Sequence, residues 1–84
     1  MIYHDESWPM YVRVNSDVFG DDCTGVIQSF DPMSHTFTVR LELEDDHPAM
    51  KDVIADGIID PHQAEFIDMV HKSQVTDMEG ELIA

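Results

Sequence analysis

The clearest feature of this chain is a strict alternation of apolar and polar side chains over residues 36–44. In an extended strand, successive side chains point to opposite faces, so alternate residues share a face. The pattern therefore predicts a half-buried β-strand and favours a sheet that packs one face against a core. The apolar face would consist of Phe37, Val39, Leu41 and Leu43, and the polar face of Thr36, Thr38, Arg40 and Glu42.

The residues before this strand predict a hairpin. Residues 24–30 form a second apolar-rich segment, and residues 31–35 between the two contain Asp31 and Pro32. Proline presets φ for a turn, and an aspartate can bond back to the backbone. Gly25 lies near the start of the second strand, where the backbone can bend or make a close approach.

Another strand is predicted over residues 10–14, and it is joined to the hairpin by a polar loop over residues 15–23. The hairpin is followed by an acidic loop over residues 45–56. This loop has room for one short helical turn over residues 49–55, entered after Pro48.

Residues 57–69 allow two interpretations. In the first, Asp60 caps a helix, Pro61 occupies its first position and Gln63 completes a capping box. In the second, residues 57–59 form a short strand, residues 60–63 a single 3₁₀ turn, and residues 64–69 a closing strand. Local signals alone favour the helix slightly.

The order of these segments resembles the SH3-like small β-barrel of the KOW type. The resemblance covers residues 10–69 and implies a mostly β fold, namely a five-stranded barrel with a 3₁₀ turn before the last strand. It also implies a binding scaffold rather than one chemistry, since this barrel serves many functions. The matching motifs, in order, are Val12-x-Val14, Gly25-Val26-Ile27, Asp31-Pro32, Phe37-Thr38-Val39-Arg40-Leu41-Glu42 and the segment from Ile58 to Ile67.

With 84 residues, the chain has the length of one small domain. We expect an N-terminal arm over residues 1–9, the barrel over residues 10–70 and a C-terminal tail over residues 71–84. Val75 and residues 82–83 could dock the tail, although the acids between them argue for mobility. The opening residues do not resemble a signal peptide, and no apolar run approaches the ~18–20 residues of a membrane span. A cytoplasmic protein is therefore expected.

Charge narrows the choice of partners. The sequence has 4 Lys+Arg and 18 Asp+Glu, which gives a formal net charge of −14. Nucleic acids and anionic lipids bind through cations, so neither is an expected partner. One interpretation is that the charge serves solubility alone. Another is that same-face acids about 6.6 Å apart on a strand imitate every second phosphate of DNA, whose phosphates lie about 3.4 Å apart.

Nothing in the sequence indicates an enzyme or a cofactor. The five histidines never follow an H-x-H or H-x₃-H spacing, and no calcium loop, phosphate loop or nucleophile elbow is present. The single cysteine, Cys23, follows two acids that would raise its pKa and blunt a nucleophile. We expect a small buried residue there, with no metal site.

The sequence therefore predicts a non-enzymatic acidic module that binds a basic surface of another protein and inhibits or modulates it. That partner would be a nuclease, a repair enzyme or a transcription factor, and DNA mimics of this kind are, by analogy, typical of phages. The alternative is an accessory or assembly subunit of a larger complex. Exposed methionines would supply apolar contacts among the acids. The predicted partner-binding residues are Asp17, Asp21, Asp22, Met33, Glu42, Glu44, Asp45, Asp46 and Met50.

Overall fold

The fold is mostly β, as the sequence predicts. A computed structural model describes residue 6 and residues 8–57 and 65–83. These residues form a five-stranded antiparallel sheet in the order β4-β3-β2-β1-β5, with one helix and a 3₁₀ turn before the last strand. The elements are β1 (Tyr11–Ser16), β2 (Gly20–Asp31), β3 (Thr36–Glu42), α1 (Pro48–Ala55), β4 (Phe66–His71), the 3₁₀ turn (Lys72–Gln74) and β5 (Val75–Thr76).

The last two strands lie further along the chain than the sequence indicates. Phe66–His71 is a strand paired with β3, so the helical interpretation of this segment is wrong. It is the fourth strand, however, and not the closing one, because Val75–Thr76 follows it and pairs with β1. The 3₁₀ turn expected at residues 60–63 and most of the strand expected at residues 57–59 lie outside the described residues.

The core lies on one face of the sheet, where the alternating residues of β3 place their apolar side chains. Phe37, Val39 and Leu41 are all buried, as the alternation predicts. Val12 and Val14 of β1 add to the same cluster, because antiparallel pairing with β2 and then β3 brings them to the same face. Trp8 packs edge-on against Phe37 with ring centroids 5.8 Å apart, so this part of the N-terminal segment covers the core.

A β-bulge in β2 explains why that strand lacks strict alternation. Ile27 is level with Val39 and Ser29 with Thr38, so β2 has one more residue than β3 at this point. An extra residue shifts the side chains beyond it by one position. Ile27 before the bulge and Phe30 after it therefore both contact the core.

Gly25 makes the close approach that its position in the sequence suggests. A Cβ atom on this residue would lie 2.6 Å from the backbone oxygen of Arg40 and 2.9 Å from Val39 Cγ1. These distances leave no space for a side chain, so glycine allows β2 and β3 to pair closely here.

The sheet also includes part of the segment after residue 70. Val75 of β5 is fully buried in the core, and Ile83 packs against it. Thr76 forms an isolated bridge with Leu82, which folds the C-terminal segment back on itself. Of the docking residues that the sequence suggests, Val75 and Ile83 contact the core, whereas Leu82 is 61% exposed.

Candidate interaction surface at the acidic end

The turn between β1 and β2 is organised by a buried serine. Ser16 is only 4% exposed, and its Oγ accepts hydrogen bonds from the backbone N–H groups of Val18 (3.2 Å) and Phe19 (2.9 Å). The same hydroxyl donates to Asp68 Oδ2 of β4 at 2.6 Å. A hydroxyl that satisfies two backbone donors holds a turn in one conformation. Asp17 and Val18 are thereby presented to solvent at the tip.

A second β-bulge presents the two acids that follow this turn. Val14 is level with Cys23 and Ser16 with Gly20, so the bulge falls at Asp21 and Asp22 of β2. Asp22 adopts a φ of 60°, the left-handed region that aspartate tolerates better than most residues. Its backbone N–H donates to Asn15 Oδ1 at 3.3 Å, which fixes the bulge. Both carboxylates are exposed.

His47 connects this turn to the acidic loop after β3. Its Nδ1 accepts from the backbone N–H of Ala49 at 3.0 Å, which caps the N-terminus of α1. Since Nδ1 accepts, Nε2 carries the proton of the neutral ring and donates to the backbone oxygen of Phe19 at 2.6 Å. The ring also lies beside the ring of Phe19, with centroids 6.4 Å apart.

This connection brings the two acidic segments to the same end of the molecule. We call the resulting surface the acidic end. Each of its carboxylates is exposed, and so is one apolar side chain, since Val18, next to Asp17 at the tip of the turn, is 74% exposed. The acidic end consists of Asp17, Asp21, Asp22, Glu44, Asp45 and Asp46 together with Val18.

The other three predicted partner-binding residues lie elsewhere. Glu42 lies on the outer face of β3, where it accepts a hydrogen bond from the Tyr11 hydroxyl at 3.1 Å. That hydrogen bond, together with the charge of Glu42, raises the pKa of Tyr11. Met33 is 83% exposed as predicted, but it lies in the turn at the opposite end of β2 from Asp21.

The prediction that Met50 is an exposed contact is wrong. Met50 is 3% exposed, because it lies on the side of α1 that turns inward. Val18 provides the exposed apolar side chain instead. The sequence held a signal for it, since an apolar residue directly after Asp17 in a polar loop has no strand to bury it.

Cys23 is a small buried residue, as expected. It is 7% exposed, and its Sγ donates to the backbone oxygens of Gly20 (3.3 Å) and Phe19 (3.6 Å). Burial raises the pKa of the thiol, and the charges of Asp21, Asp22 and Asp68 raise it further. The thiol is therefore held in its protonated, weakly nucleophilic form at neutral pH.

The acids of the acidic end are not arranged as a metal site. Over residues 8–57 and 65–83, no group of three or more His, Cys, Asp or Glu side chains is placed to hold a metal ion. Within the same ranges, no helix is long and apolar enough to cross a membrane.

Comparison of the chain with models of protein families, with curated proteins and with solved structures finds no match.

Proposed function

We propose that this protein is a non-enzymatic interaction module that binds a basic surface of another cytoplasmic protein through its acidic end. The observation that supports this proposal is that six exposed carboxylates lie on two separate segments that one hydrogen bond joins at the same end of the molecule. The hydrogen bond from His47 to Phe19 holds the two segments together. A partner would meet a preformed surface and would not have to order it.

The charged and the apolar side chains of this surface would affect different rates, association and dissociation respectively. Clustered like charges raise the rate of encounter with a surface of opposite sign, and this effect weakens with salt. A central apolar side chain that becomes fully desolvated slows dissociation. The carboxylates of the acidic end would therefore set the association rate, and Val18 would set the lifetime of the complex.

We further propose that the scaffold is SH3-like, in an acidic version of the KOW type. The strand order β4-β3-β2-β1-β5 and the 3₁₀ turn between β4 and β5 support this assignment. With only 4 Lys+Arg against 18 Asp+Glu, the chain is unsuited to direct binding of nucleic acids. Recognition of the proteins that bind nucleic acids fits its charge better.

Within this proposal, the most specific function is inhibition of a nucleic-acid-binding protein by imitation of DNA. Such a partner offers a cationic groove that matches a closely spaced set of carboxylates. Asp21 and Asp22 at the bulge and Asp45 and Asp46 after β3 supply paired charges at one end of the molecule. A nuclease, a repair enzyme or a transcription factor of the kind that phage proteins block is the partner class that we propose.

The test is affinity capture from a lysate of the natural or host cell, with elution by duplex DNA and, separately, by stepwise NaCl. We expect one nucleic-acid-binding protein to dominate and to be released by DNA. Capture should fail with Asp45→Lys/Asp46→Lys as bait. It should persist with Glu79→Lys/Glu81→Lys, which changes the net charge equally at exposed residues of the C-terminal turn.

Two results would contradict the proposal. If the bound protein resists both DNA and about 0.5 M NaCl, where the screening length falls to a few ångströms, the contact is chiefly apolar. The protein would then be an accessory subunit whose charge serves solubility. If both charge-reversed baits lose the partner equally, net charge and not the acidic end carries the interaction.

A further inference from the structure

Histidine caps both helical segments in the part of the chain that the structure describes. His47 is the N-cap of α1, and His71 is the N-cap of the 3₁₀ turn. The usual N-cap residues are Ser, Thr, Asp and Asn, whose side-chain oxygens accept hydrogen bonds from backbone N–H groups. An imidazole can replace them only while one of its nitrogens carries no proton. Both helical segments are therefore sensitive to protonation of their caps.

The same ring nitrogen accepts the hydrogen bond in both caps. Nδ1 of His47 accepts from the backbone N–H of Ala49 at 3.0 Å, and Nδ1 of His71 accepts from that of Ser73 at 3.2 Å. A proton on Nδ1 would turn this acceptor into a donor and place a positive charge at the N-terminus of the segment, where the helix dipole disfavours it. The Ser73 hydroxyl, 2.8 Å from Nδ1 of His71, can rotate to accept, but the two backbone N–H groups cannot.

Both capped segments contact the turn between β1 and β2, which carries half of the acidic end. From the side of α1, Nε2 of His47 donates to the backbone oxygen of Phe19 at 2.6 Å. From the 3₁₀ turn, the Gln74 side chain, which also closes the capping box, donates to the backbone oxygen of Asn15 at 2.9 Å and to Asp17 Oδ1 at 3.4 Å. The two histidine caps therefore support the acidic end from two separate elements.

We propose that His47 and His71 form a pH-sensitive pair of caps, which releases the first turn of α1 and the 3₁₀ turn as pH falls from about 7.5 to about 5.5. Neutral rings keep both segments capped at the higher pH. When the rings gain a second proton, Ala49 and Ser73 lose their acceptors and the segments fray from their N-termini. The hydrogen bond from Nε2 of His47 to Phe19 persists, because a charged ring still donates there.

The charges around each ring oppose the effect of its cap. A carboxylate stabilises the charged ring, whereas the N–H group that the cap accepts from stabilises the neutral one. The titratable and charged groups on the elements next to His47 are Asp45, Asp46, Lys51, Asp52, Asp17, Asp21, Asp22 and Cys23. Those on the elements next to His71 are Asp31, Asp68, Lys72, Asp17 and His35, whose ring centroid lies 6.3 Å from that of His71. Proton uptake at each ring is a balance between these groups and the cap.

The experiment is a nuclear magnetic resonance titration of the full chain between about pH 7.5 and about pH 5.5, a window in which ordinary carboxylates stay ionised. Ring ¹⁵N shifts report the tautomer and charge of each histidine, and we expect the Nε2–H tautomer for His47 and His71 at the higher pH. As these rings become charged, the protection of the Ala49 and Ser73 amides from hydrogen exchange, corrected for the intrinsic effect of pH, should fall at least about threefold. Protection of the Val39 amide in the sheet should not change.

Matched variants separate the caps from other effects of pH. His47→Asn/His71→Asn keeps a side-chain acceptor at both N-caps and has no charge to gain, so the protection of Ala49 and Ser73 should become independent of pH. His35→Asn is the control, because asparagine tolerates the φ of 57° at this position and His35 caps neither segment. The pH response should persist in this control.

Three results would overturn the proposal. The rings of His47 and His71 could stay neutral down to about pH 5.5, their protonation could leave the protection of Ala49 and Ser73 unchanged, or His47→Asn/His71→Asn could lose protection as the unmodified protein does. Each of these results is measured on the free protein. The pH-sensitive caps can therefore fail while the binding of a basic partner by the acidic end stands, and the reverse also holds.

Discussion

The acidic end and the outer sheet face, which is the side of the sheet that faces away from the core, are built in different ways. The acidic end consists of turns and loops, and its backbone is held by hydrogen bonds that Ser16 and Asn15 accept and that His47 donates. The outer sheet face consists of strand residues whose positions follow from the sheet register. Both are exposed, but the acidic end carries only acids, whereas the outer sheet face combines Arg13 and Arg40 with Glu42 and Asp31.

The largest expected effect is loss of the core that supports both surfaces. Phe37 is 1% exposed and packs against Trp8 and Phe30. We expect Phe37→Ala to lower the free energy of unfolding by about 3–5 kcal/mol, measured by urea denaturation, because it leaves a cavity. Met33→Ala, at an 83% exposed position, is the control and should change little. Similar losses of unfolding free energy in the two variants would contradict the placement of Phe37 in the core.

Substitution of Ser16 should lower stability less than Phe37→Ala does. It should disturb the acidic end and leave the outer sheet face unchanged. Ser16→Ala leaves the N–H groups of Val18 and Phe19 and the Asp68 carboxylate without their hydroxyl partner, so we expect a loss of about 1–3 kcal/mol. Ser34→Ala, at the exposed hairpin tip, serves as the control. In amide NMR spectra, the shifts should concentrate in the acidic end. Equal shifts at Tyr11 and Val26, which do not adjoin Asp68 in the sequence, would show that the two surfaces are coupled.

Added salt should stabilise the folded protein, because it screens the repulsion among the acids. We expect the melting temperature to rise as NaCl increases from low concentration to about 0.5 M, because repulsion within a like-charged surface destabilises the compact state. Reversal of Asp45 and Asp46 to Lys should reduce this dependence, whereas Lys51→Glu/Lys72→Glu should increase it. A melting temperature that is independent of salt in all three proteins would contradict a role for self-repulsion.

The smallest expected effect is the titration of one tyrosine on the outer sheet face. The hydrogen bond to Glu42 raises the pKa of Tyr11, so its contribution to stability is present below the normal tyrosine pKa and is lost as pH rises through the raised value. Ultraviolet titration in a Tyr3→Phe background would isolate Tyr11. Glu42→Gln should bring its pKa back towards about 10. An unchanged titration in Glu42→Gln would mean that the hydrogen bond is absent in solution.

Sequence patterns predicted the parts of the fold that depend on local periodicity. The alternation at Phe37, Val39 and Leu41 set the core face of β3, and the close approach at Gly25 was also foreseen. The closing strand was misplaced because β5 has only two residues, too few for a periodic signal. Its identity depends on pairing with Arg13 and Val14, which are distant in sequence.

The surfaces were predictable only in part, for a similar reason. Exposed acids in loops can be recognised locally, but their convergence depends on the His47–Phe19 hydrogen bond between two distant segments. Met50 looked exposed because it lies among acids, and only the docking of α1 buries it. The polar face of β3 was predicted, but its neighbours on the outer sheet face were not, because they depend on the register between strands that are distant in sequence.

The most direct test of the proposed function is the association rate constant of the captured partner, measured at low and at physiological ionic strength. We expect Asp45→Lys/Asp46→Lys to slow association by about tenfold or more at low salt, with a smaller effect at higher salt, and Glu79→Lys/Glu81→Lys to slow it far less. Unchanged association in Asp45→Lys/Asp46→Lys, or equal slowing in both variants, would contradict the assignment of the interaction to the acidic end.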